Sequence, residues 1–381
     1  MRVLYIIFVV GSLNMLSSCR KKGCTDQNAL NFSSEAKKDD GSCVLLNPPS
    51  NYTFTDASGN NTVSYSGQTD RLNQLEELTT YLKSGTTSAL DLSATNAMFS
   101  NTDGNGSGNF TFTSSKQLKD KCFASDVPLF ESYFNEQVTA SASFAETASS
   151  GQAGTLSSVS STYLFGSNGM EYAQVIEKGL MGAIFMNQAL DVYFSASKMD
   201  VDNTLPEDPS GGSYYTAMEH HWDEAFGYFG APTDFPATTD GLRFWAKYCN
   251  AQDANLASNS ILMNAFLKGR AAISQQADLA IRDEAIHTIR IIWEQLAASQ
   301  AKTYLEQAKS NFGVDNAKFL HELSEAYAFI LCLKYVPLET RVITYSTIDE
   351  LLTTTIGSDF WSVTLFDLNS AINTLNTTYS F

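Results

Sequence analysis

The sequence predicts an all-α protein of two packed helical layers, with one small β-hairpin near the N terminus. Three observations lead to this prediction. From residue 171 onward, apolar residues recur at the three- and four-residue spacing of amphipathic helices. The alternation of apolar and polar residues that is typical of strands is confined to residues 52–65, around a Gly/Asn-rich turn. A hydrophobic share of 43% over 381 residues is ample for a large core.

The first residues predict export and a lipid anchor. Arg2 precedes an apolar run, residues 3–10, that is too short to cross a bilayer as a helix, so residues 1–18 are typical of a signal peptide. The stretch Leu16-Ser17-Ser18-Cys19 resembles a bacterial lipobox, in which the cysteine is acylated and becomes the first residue. The alternative is cleavage near this point without lipid. The chain is therefore expected to be an outer-membrane lipoprotein of the Gram-negative cell envelope, facing either the periplasm or the cell surface.

Residues 19–49 are expected to form the anchored linker, with a disulfide-closed module inside it. Cys24 and Cys43 lie at the ends of a polar loop, in a compartment that permits disulfides. Closing a loop of this size stabilises it by roughly 3 kcal/mol. Calcium is the lesser alternative for this loop, through the oxygen atoms of Asp26, Asn28, Asp39 and Asp40. The stretch is similar to a "GCTD…DDGSC" module of extracellular bacterial proteins.

Three further cysteines, an odd number, receive no pairing from the sequence. They are Cys122, Cys249 and Cys332. The last lies in "FILCLKY", where an apolar helix is expected to bury it.

Residues 50–381 are expected to form the main domain. After the hairpin at 52–65, an amphipathic helix at 70–84 is separated by a polar loop from a helix that begins near Lys116. The Ala/Ser/Thr/Gly-rich stretch 139–162 is expected to be a flexible crossing or a small-residue helix. Periodic segments predict further helices at 171–194, 216–229, 240–250, 255–275, 278–309, 316–335, 347–356 and 366–376.

The net charge excludes one class of partner. It is −17 for the whole chain and becomes −18 once residues 1–18 are removed, because Arg2 is their only charged residue. Such a surface repels phosphate backbones, so we expect no nucleic-acid partner. The partner classes that remain are the membrane through the lipid anchor, a small ligand or metal, and other envelope proteins.

Six blocks of sequence, in order, resemble a family of bacterial envelope lipoproteins, domain-of-unknown-function family 4856, which is related to the imelysins. The blocks are "SGQTDRL", "TSSKQLKDK", "EKGLMGAIF", "MEHHWDEAFGYFG", "FLKGRAAI" and "HELSEAYAFI". The resemblance covers about residues 50–381 and implies a helical fold of two bundle repeats. It implies no established reaction, since imelysins are described as iron-regulated and were once classed as peptidases.

The helix predicted at 216–229 carries the HxxE motif of the imelysins at His221 and Glu224. Thr216 is its expected N-cap, with Glu219 as the capping-box partner. At 100° per residue, His221 and Glu224 lie at the border of the core stripe, where a cleft would form. The stripe itself consists of Met218, Trp222, Ala225 and Phe229.

A second pair lies in "FLHELSEAYAFI", where His321 and Glu325 are one helical turn apart. If the two helices pack together, two imidazoles and two carboxylates meet between bundles, and this donor set suits iron or zinc. The alternative is that each histidine is a core residue held by its neighbouring glutamate. Arg270 either pairs with one of these carboxylates or lies at the surface. The candidate ligand-binding residues are thus His221, Glu224, Arg270, His321 and Glu325, all but Arg270 being candidate metal ligands.

Three functions fit these features. The first is a lipid-anchored envelope protein that binds a small ligand, iron or a haem-like compound, between its bundles. The second is an imelysin-type metallopeptidase in which His221, Glu224 and His321 hold zinc and Glu325 acts as the base. The third is a scaffold without a small ligand. The first is favoured because "HELSE" lacks the second histidine of the zinc motif HExxH, and because the nucleophile motif GxSxG is absent.

Overall fold

The computed structural model describes residues 20–27, 29–159 and 161–381. The predicted signal peptide, the predicted lipid attachment at Cys19 and the candidate calcium ligand Asn28 lie outside the described residues. The chain divides into two compact units, residues 1–47 and residues 48–381.

The first unit is held by a disulfide. Cys24 and Cys43 are joined with an S–S distance of 2.08 Å, as the sequence predicts. Isolated backbone bridges pair Cys24 with Phe32 and Ala29 with Leu45, and the Cys24 side chain is buried. This short segment therefore has a small interior of its own around the cross-link.

The second unit is largely helical, and the predicted all-α fold class is confirmed: helices account for 58% of the structure. The elements of the second unit are α1 (Ser66–Lys83), α2 (Leu92–Ser100), α3 (Val127–Ser141), β1 (Gly154–Ser157), β2 (Thr162–Phe165), α4 (Tyr172–Leu180), α5 (Ala196–Met199), α6 (Ala217–Phe229), α7 (Phe244–Leu256), α8 (Ser258–Ser274), α9 (Leu279–Asn311), α10 (Asn316–Cys332), α11 (Tyr345–Glu350) and α12 (Leu365–Tyr379).

Helix α9, the longest at 33 residues, runs through the core. It packs against α7, α8, α10 and α12. Small side chains at Ala297, Ala298 and Ala301 are fully buried along its middle, which lets neighbouring helices approach closely, while Trp293 fills the space one turn earlier. The two bundle repeats that the family resemblance implies stay a prediction.

The segment predicted as one helix at 171–194 is α-helical only in its first part. Helix α4 continues as two π-helical stretches, Met181–Met186 and Gln188–Tyr193. Each turn of π-helix inserts extra backbone, so side chains beyond it point in directions that a regular helix would not give. Tyr193, at the end of the second stretch, is one such side chain.

The β-hairpin is not where the sequence predicted it. Residues 52–65 form only one antiparallel bridge, between Thr55 and Asn61. Apolar and polar residues alternate in this segment because its apolar side chains pack on helix α6. Tyr52, for example, stacks on Phe226 with ring centroids 3.6 Å apart. The two-stranded sheet is β1–β2, inside and just beyond the stretch expected to be a crossing or a helix.

Two helix predictions need correction as well. Helix α2 was not predicted, and the helix expected near Lys116 begins only at Val127, the start of α3. Among the described residues, no helix has both the length and the apolar character needed to cross a membrane.

Candidate functional site

Helix α6 begins at the residue that its sequence predicts, but more of its surface is buried than the predicted core stripe. The capping box between Thr216 and Glu219 is formed in both directions. The predicted core stripe is buried, yet so are Asp223 and Gly227, which were expected farther round the helix. A Cβ on Gly227 would lie 2.7 Å from the Cβ of Tyr65, because the start of α1 covers this side of α6.

His221 and Glu224 contact each other and form a cluster with Gln68 and Tyr193, the His221 cluster. His221 Nδ1 lies 3.3 Å from one carboxylate oxygen of Glu224. The other oxygen accepts hydrogen bonds from Gln68 Nε2 at 2.9 Å and from the Tyr193 hydroxyl at 3.0 Å. Tyr193, the last residue of the second π-helical stretch, thus donates one of the hydrogen bonds that Glu224 accepts.

The carboxylate of Glu224 is stabilised in its charged form. Burial by itself would raise its pKa, but the hydrogen bond with His221 and the bonds from Gln68 and Tyr193 outweigh burial and lower the pKa to about 2. Glu224 therefore carries its charge throughout the physiological range, and its oxygen atoms are already occupied by protein donors.

Arg270, a candidate ligand-binding residue, is a buried cation, and neither of the two placements expected for it is found. Its side chain is 0% exposed. It pairs with neither Glu224 nor Glu325: its Nε lies 2.8 Å from Asp223 and its Nη1 lies 2.6 Å from Glu219. Burial alone would lower the pKa of Arg270, whereas these two carboxylates raise it.

The second predicted pair belongs to a larger group of buried charges, the His321 cluster, which consists of Glu171, Glu177, Lys178, His321 and Glu325. Lys178 of α4 is almost fully buried, with its Nζ 2.9 Å from Glu325 and 3.1 Å from Glu177. His321 Nδ1 lies 2.6 Å from Glu171, while its Nε2 is 4.0 Å from Glu325. The closer carboxylate of His321 is therefore Glu171, at the start of α4, rather than Glu325 on its own helix.

The charges of the His321 cluster hold one another in ionised form. Burial alone would raise the pKa of Glu177 and Glu325, but Lys178 and the other neighbouring cations lower it, to about 2 for Glu177. Burial alone would lower the pKa of His321, and its hydrogen bond to Glu171 outweighs this and raises the pKa. Buried groups that shift one another's pKa in this way occur both at functional sites and in structural ion-pair networks.

The structure does not bring the two predicted pairs together. Within the described parts of the chain, no group of three or more His, Cys, Asp and Glu side chains is arranged to hold a metal ion. The physical reason is that each pair is satisfied locally: Gln68 and Tyr193 bind Glu224, whereas Lys178 forms an ion pair with Glu325. The predicted shared iron or zinc site, with His221, Glu224, His321 and Glu325 as ligands, is therefore not assembled.

A cavity of about 320 Å³, the first cavity, opens beside the His321 cluster. Its lining includes Lys83, Gln137, Tyr163, Glu171 and Gln174. Tyr163 also stacks on the imidazole of His321, with centroids 4.4 Å apart. The cavity thus borders the cluster through Glu171 and Tyr163, and Lys83 connects it to Glu177 by an ion pair of 2.8 Å.

Gln137 is the polar residue of the first cavity whose bonding is incomplete. Its Nε2 donates to the Leu82 carbonyl at 2.8 Å, whereas its buried Oε1 has no hydrogen-bond partner among the described residues. A buried acceptor without a donor costs roughly 1–3 kcal/mol, so such a group requires a partner.

Three residues that complete this site are not predicted by the sequence. Glu171, Lys178 and Gln137 were not singled out. Lys178 did carry a signal, since it directly precedes the apolar stretch "GLMGAIF" on a segment predicted to be helical, where a buried lysine is seldom found without a partner. Gln137 carried none, because its role depends on the cavity.

The raised pKa of His321 predicts a pH-dependent contribution to stability. Because the folded-state pKa lies above the ordinary value of 6.5, the stabilisation is complete below pH 6.5 and is lost as the pH rises through the folded-state value. The free energy of unfolding of the protein minus that of His321→Asn should therefore fall as the pH rises above 6.5. Urea unfolding at several pH values measures it, with His287→Asn as control. A difference that is constant or rises over this range would contradict the prediction.

The comparisons with known proteins agree with the six-block resemblance. The family described as "Domain of unknown function (DUF4856)" matches residues 49–381. No curated protein and no solved structure matches the chain. Since the matched region is most of the chain and spans α1 to α12 with both clusters and the first cavity, the protein belongs to the DUF4856 family.

Proposed function

We propose that this protein is a lipid-anchored binding protein of the cell envelope, and that it binds a small polar molecule in the first cavity. The observation that carries the proposal is the unpaired Oε1 of Gln137, buried in the wall of a cavity of about 320 Å³. Ligand sites have volumes of roughly 300–1,000 Å³ with a few polar groups that fix the orientation of the ligand.

The lining indicates what kind of molecule fits. Gln137 Oε1 and the Glu171 carboxylate accept hydrogen bonds, whereas the Lys83 ammonium and the Gln174 amide donate them. A ligand that has both donors and acceptors, such as one with several hydroxyl groups or with an amino and a carboxylate group, satisfies this set. Tyr163 offers an apolar ring face beside them.

The test is ligand-induced stabilisation. Free amino acids and monosaccharides, each at millimolar concentration, serve as probes, and the thermal midpoint is the readout. A probe at a hundred times its Kd stabilises the folded protein by about 2.7 kcal/mol. We expect at least one probe to raise the midpoint and Gln137→Met to remove the effect.

Gln188→Met is the matched control. Like Gln137, Gln188 donates its Nε2 to a backbone carbonyl and has a buried Oε1 without a partner, but it does not line the first cavity. The control should respond to the probe as the unchanged protein does. If no probe raises the midpoint, or if Gln137→Met responds fully, the proposed function is wrong.

We propose Cys19 as the site of the lipid anchor, supported by the sequence Leu16-Ser17-Ser18-Cys19. Several acyl chains anchor a protein stably, because each buried CH₂ contributes roughly 0.8 kcal/mol. Cys19→Ala should move the protein from the membrane fraction to the soluble envelope fraction. Equal sedimentation of both forms with membranes would contradict the anchor.

We also propose that the family is related to the imelysins. The support is the HxxE spacing of His221 and Glu224 together with the contact of 3.3 Å between their side chains. The separate zinc-peptidase hypothesis has no such support, because its three ligands belong to two clusters.

A further inference from the structure

A second cavity, of about 250 Å³, is lined by both members of the ion pair between Lys83 and Glu177. Helix α1 lines it with Thr79 and Lys83, and the beginning of α7 lines it with Arg243 and Lys247. Lys83 borders both cavities, but the other residues named here belong to the second cavity alone.

The beginning of α7 is left without a cap. No side chain accepts a hydrogen bond from its first backbone N–H groups, and its first turn contains no acidic residue. These N–H groups carry the positive end of the helix dipole, equivalent to about half an elementary charge. In many helices an N-cap side chain or an acidic side chain in the first turn binds these N–H groups. A bound anion can take the same place.

The side-chain charges of the second cavity favour an anion as well. Glu177 is paired with Lys83 at 2.8 Å, and Glu76 is paired with Arg243 at 2.6 Å. The side chain of Lys247 has no hydrogen bond or ion pair within the residues that the structure describes. One positive charge is therefore left over, in a chain whose net charge is −17.

Thr79 provides an independent indication of a ligand. Its side chain is only 6% exposed, and its hydroxyl has no hydrogen-bond partner among the described residues. A threonine in a helix commonly bonds to the carbonyl four residues earlier, as Thr80 does to Glu76. The hydroxyl of Thr79 makes no such bond, although Thr79 lines the second cavity.

We infer that the second cavity binds the anionic group, a carboxylate or a phosphate, of a small molecule. Lys247 supplies positive charge, the N–H groups of Phe244 and Trp245 at the start of α7 supply donors, and the Thr79 hydroxyl supplies one further hydrogen bond. Both anions accept several hydrogen bonds at once, which matches this set of donors. The inference does not depend on the function proposed for the first cavity, because Gln137 takes no part in it.

The probes are inorganic phosphate and acetate, titrated into the full mature protein at constant ionic strength and followed by calorimetry. We expect saturable binding of at least one of them to a single site. Lys247→Gln and Thr79→Val should each weaken it about tenfold. Thr79→Val keeps the shape of the side chain and removes only an unpaired buried hydroxyl, so its thermal midpoint should be no lower than that of the unchanged protein.

Lys309→Gln is the matched control, because it removes the charge of another exposed lysine without an ion pair that does not line the cavity. It should leave the affinity unchanged. Preference for phosphate or for acetate identifies the group that the site binds. Absence of saturable binding for both probes overturns the inference, and so does equal weakening by Lys309→Gln, which would indicate a general effect of net charge. Gln137→Met should bind the anion as the unchanged protein does, whether or not the first cavity binds a ligand.

Discussion

Arg270→Met is expected to lower the free energy of unfolding by about 3–5 kcal/mol, the largest effect of any substitution considered. Methionine keeps much of the side-chain volume but removes the one cation that, among the described residues, forms an ion pair with the completely buried Asp223. The substitution also removes the donors to Glu219 at 2.6 Å and to the Thr62 carbonyl at 2.9 Å. Two carboxylates and one carbonyl are then left in a dry environment without their partner.

Urea unfolding with a spectroscopic readout measures this effect. Lys268→Met is the control, because Lys268 forms an ion pair with Glu284 at 2.6 Å in which both side chains are exposed. Exposed pairs contribute only about 0–1 kcal/mol. If Arg270→Met lost no more stability than Lys268→Met, the view that Arg270 is a structural cation rather than a ligand-binding residue would be untenable.

Lys178→Met is expected to lower the free energy of unfolding by about 3 kcal/mol. This value lies at the lower end of the roughly 3–5 kcal/mol that is lost on breaking a buried ion pair. The reason is that Glu177 keeps its ion pair with Lys83, and Glu325 still has the His321 imidazole 4.0 Å away. The double variant Lys178→Met, Glu325→Gln should recover part of the loss, since it no longer leaves a buried charge without a partner.

The same urea unfolding experiment, carried out on both single variants and the double variant, gives the coupling between Lys178 and Glu325. A double variant no more stable than Lys178→Met would mean that the unpaired Glu325 charge is not the source of the loss. The outcome also bears on the first cavity, because Lys178 fixes the Oε1 of Gln174, one of its lining residues, through a hydrogen bond.

The sequence predicted most helices because their burial follows from local periodicity. Helix α6 is the clearest case: its capping box and its core stripe were both readable from spacing alone. Helix α2 was missed because its nine residues are short and mostly small or polar. The strand β1 was missed because its Gly, Thr and Ser residues resemble the low-complexity sequence around them.

The site could be predicted only in part, for a physical reason. Proximity along one helix is encoded locally, so the pairs of His221 with Glu224 and of His321 with Glu325 were found, although the second pair is the looser one at 4.0 Å. Which distant group completes each pair depends on tertiary packing. Glu171 reaches His321 across 150 positions of sequence, and no spacing rule predicts such a contact.

The three free cysteines of the main domain, all buried, make the rate of chemical modification a measure of local opening. Burial raises the pKa of Cys122 and of Cys249 to about 12, so neither thiol reacts appreciably while it is enclosed. Cys332 on α10 is fully buried as well. Each thiol can be alkylated only when its surroundings open, and the labelling rate at each position therefore reports how often that part of the protein is exposed to solvent.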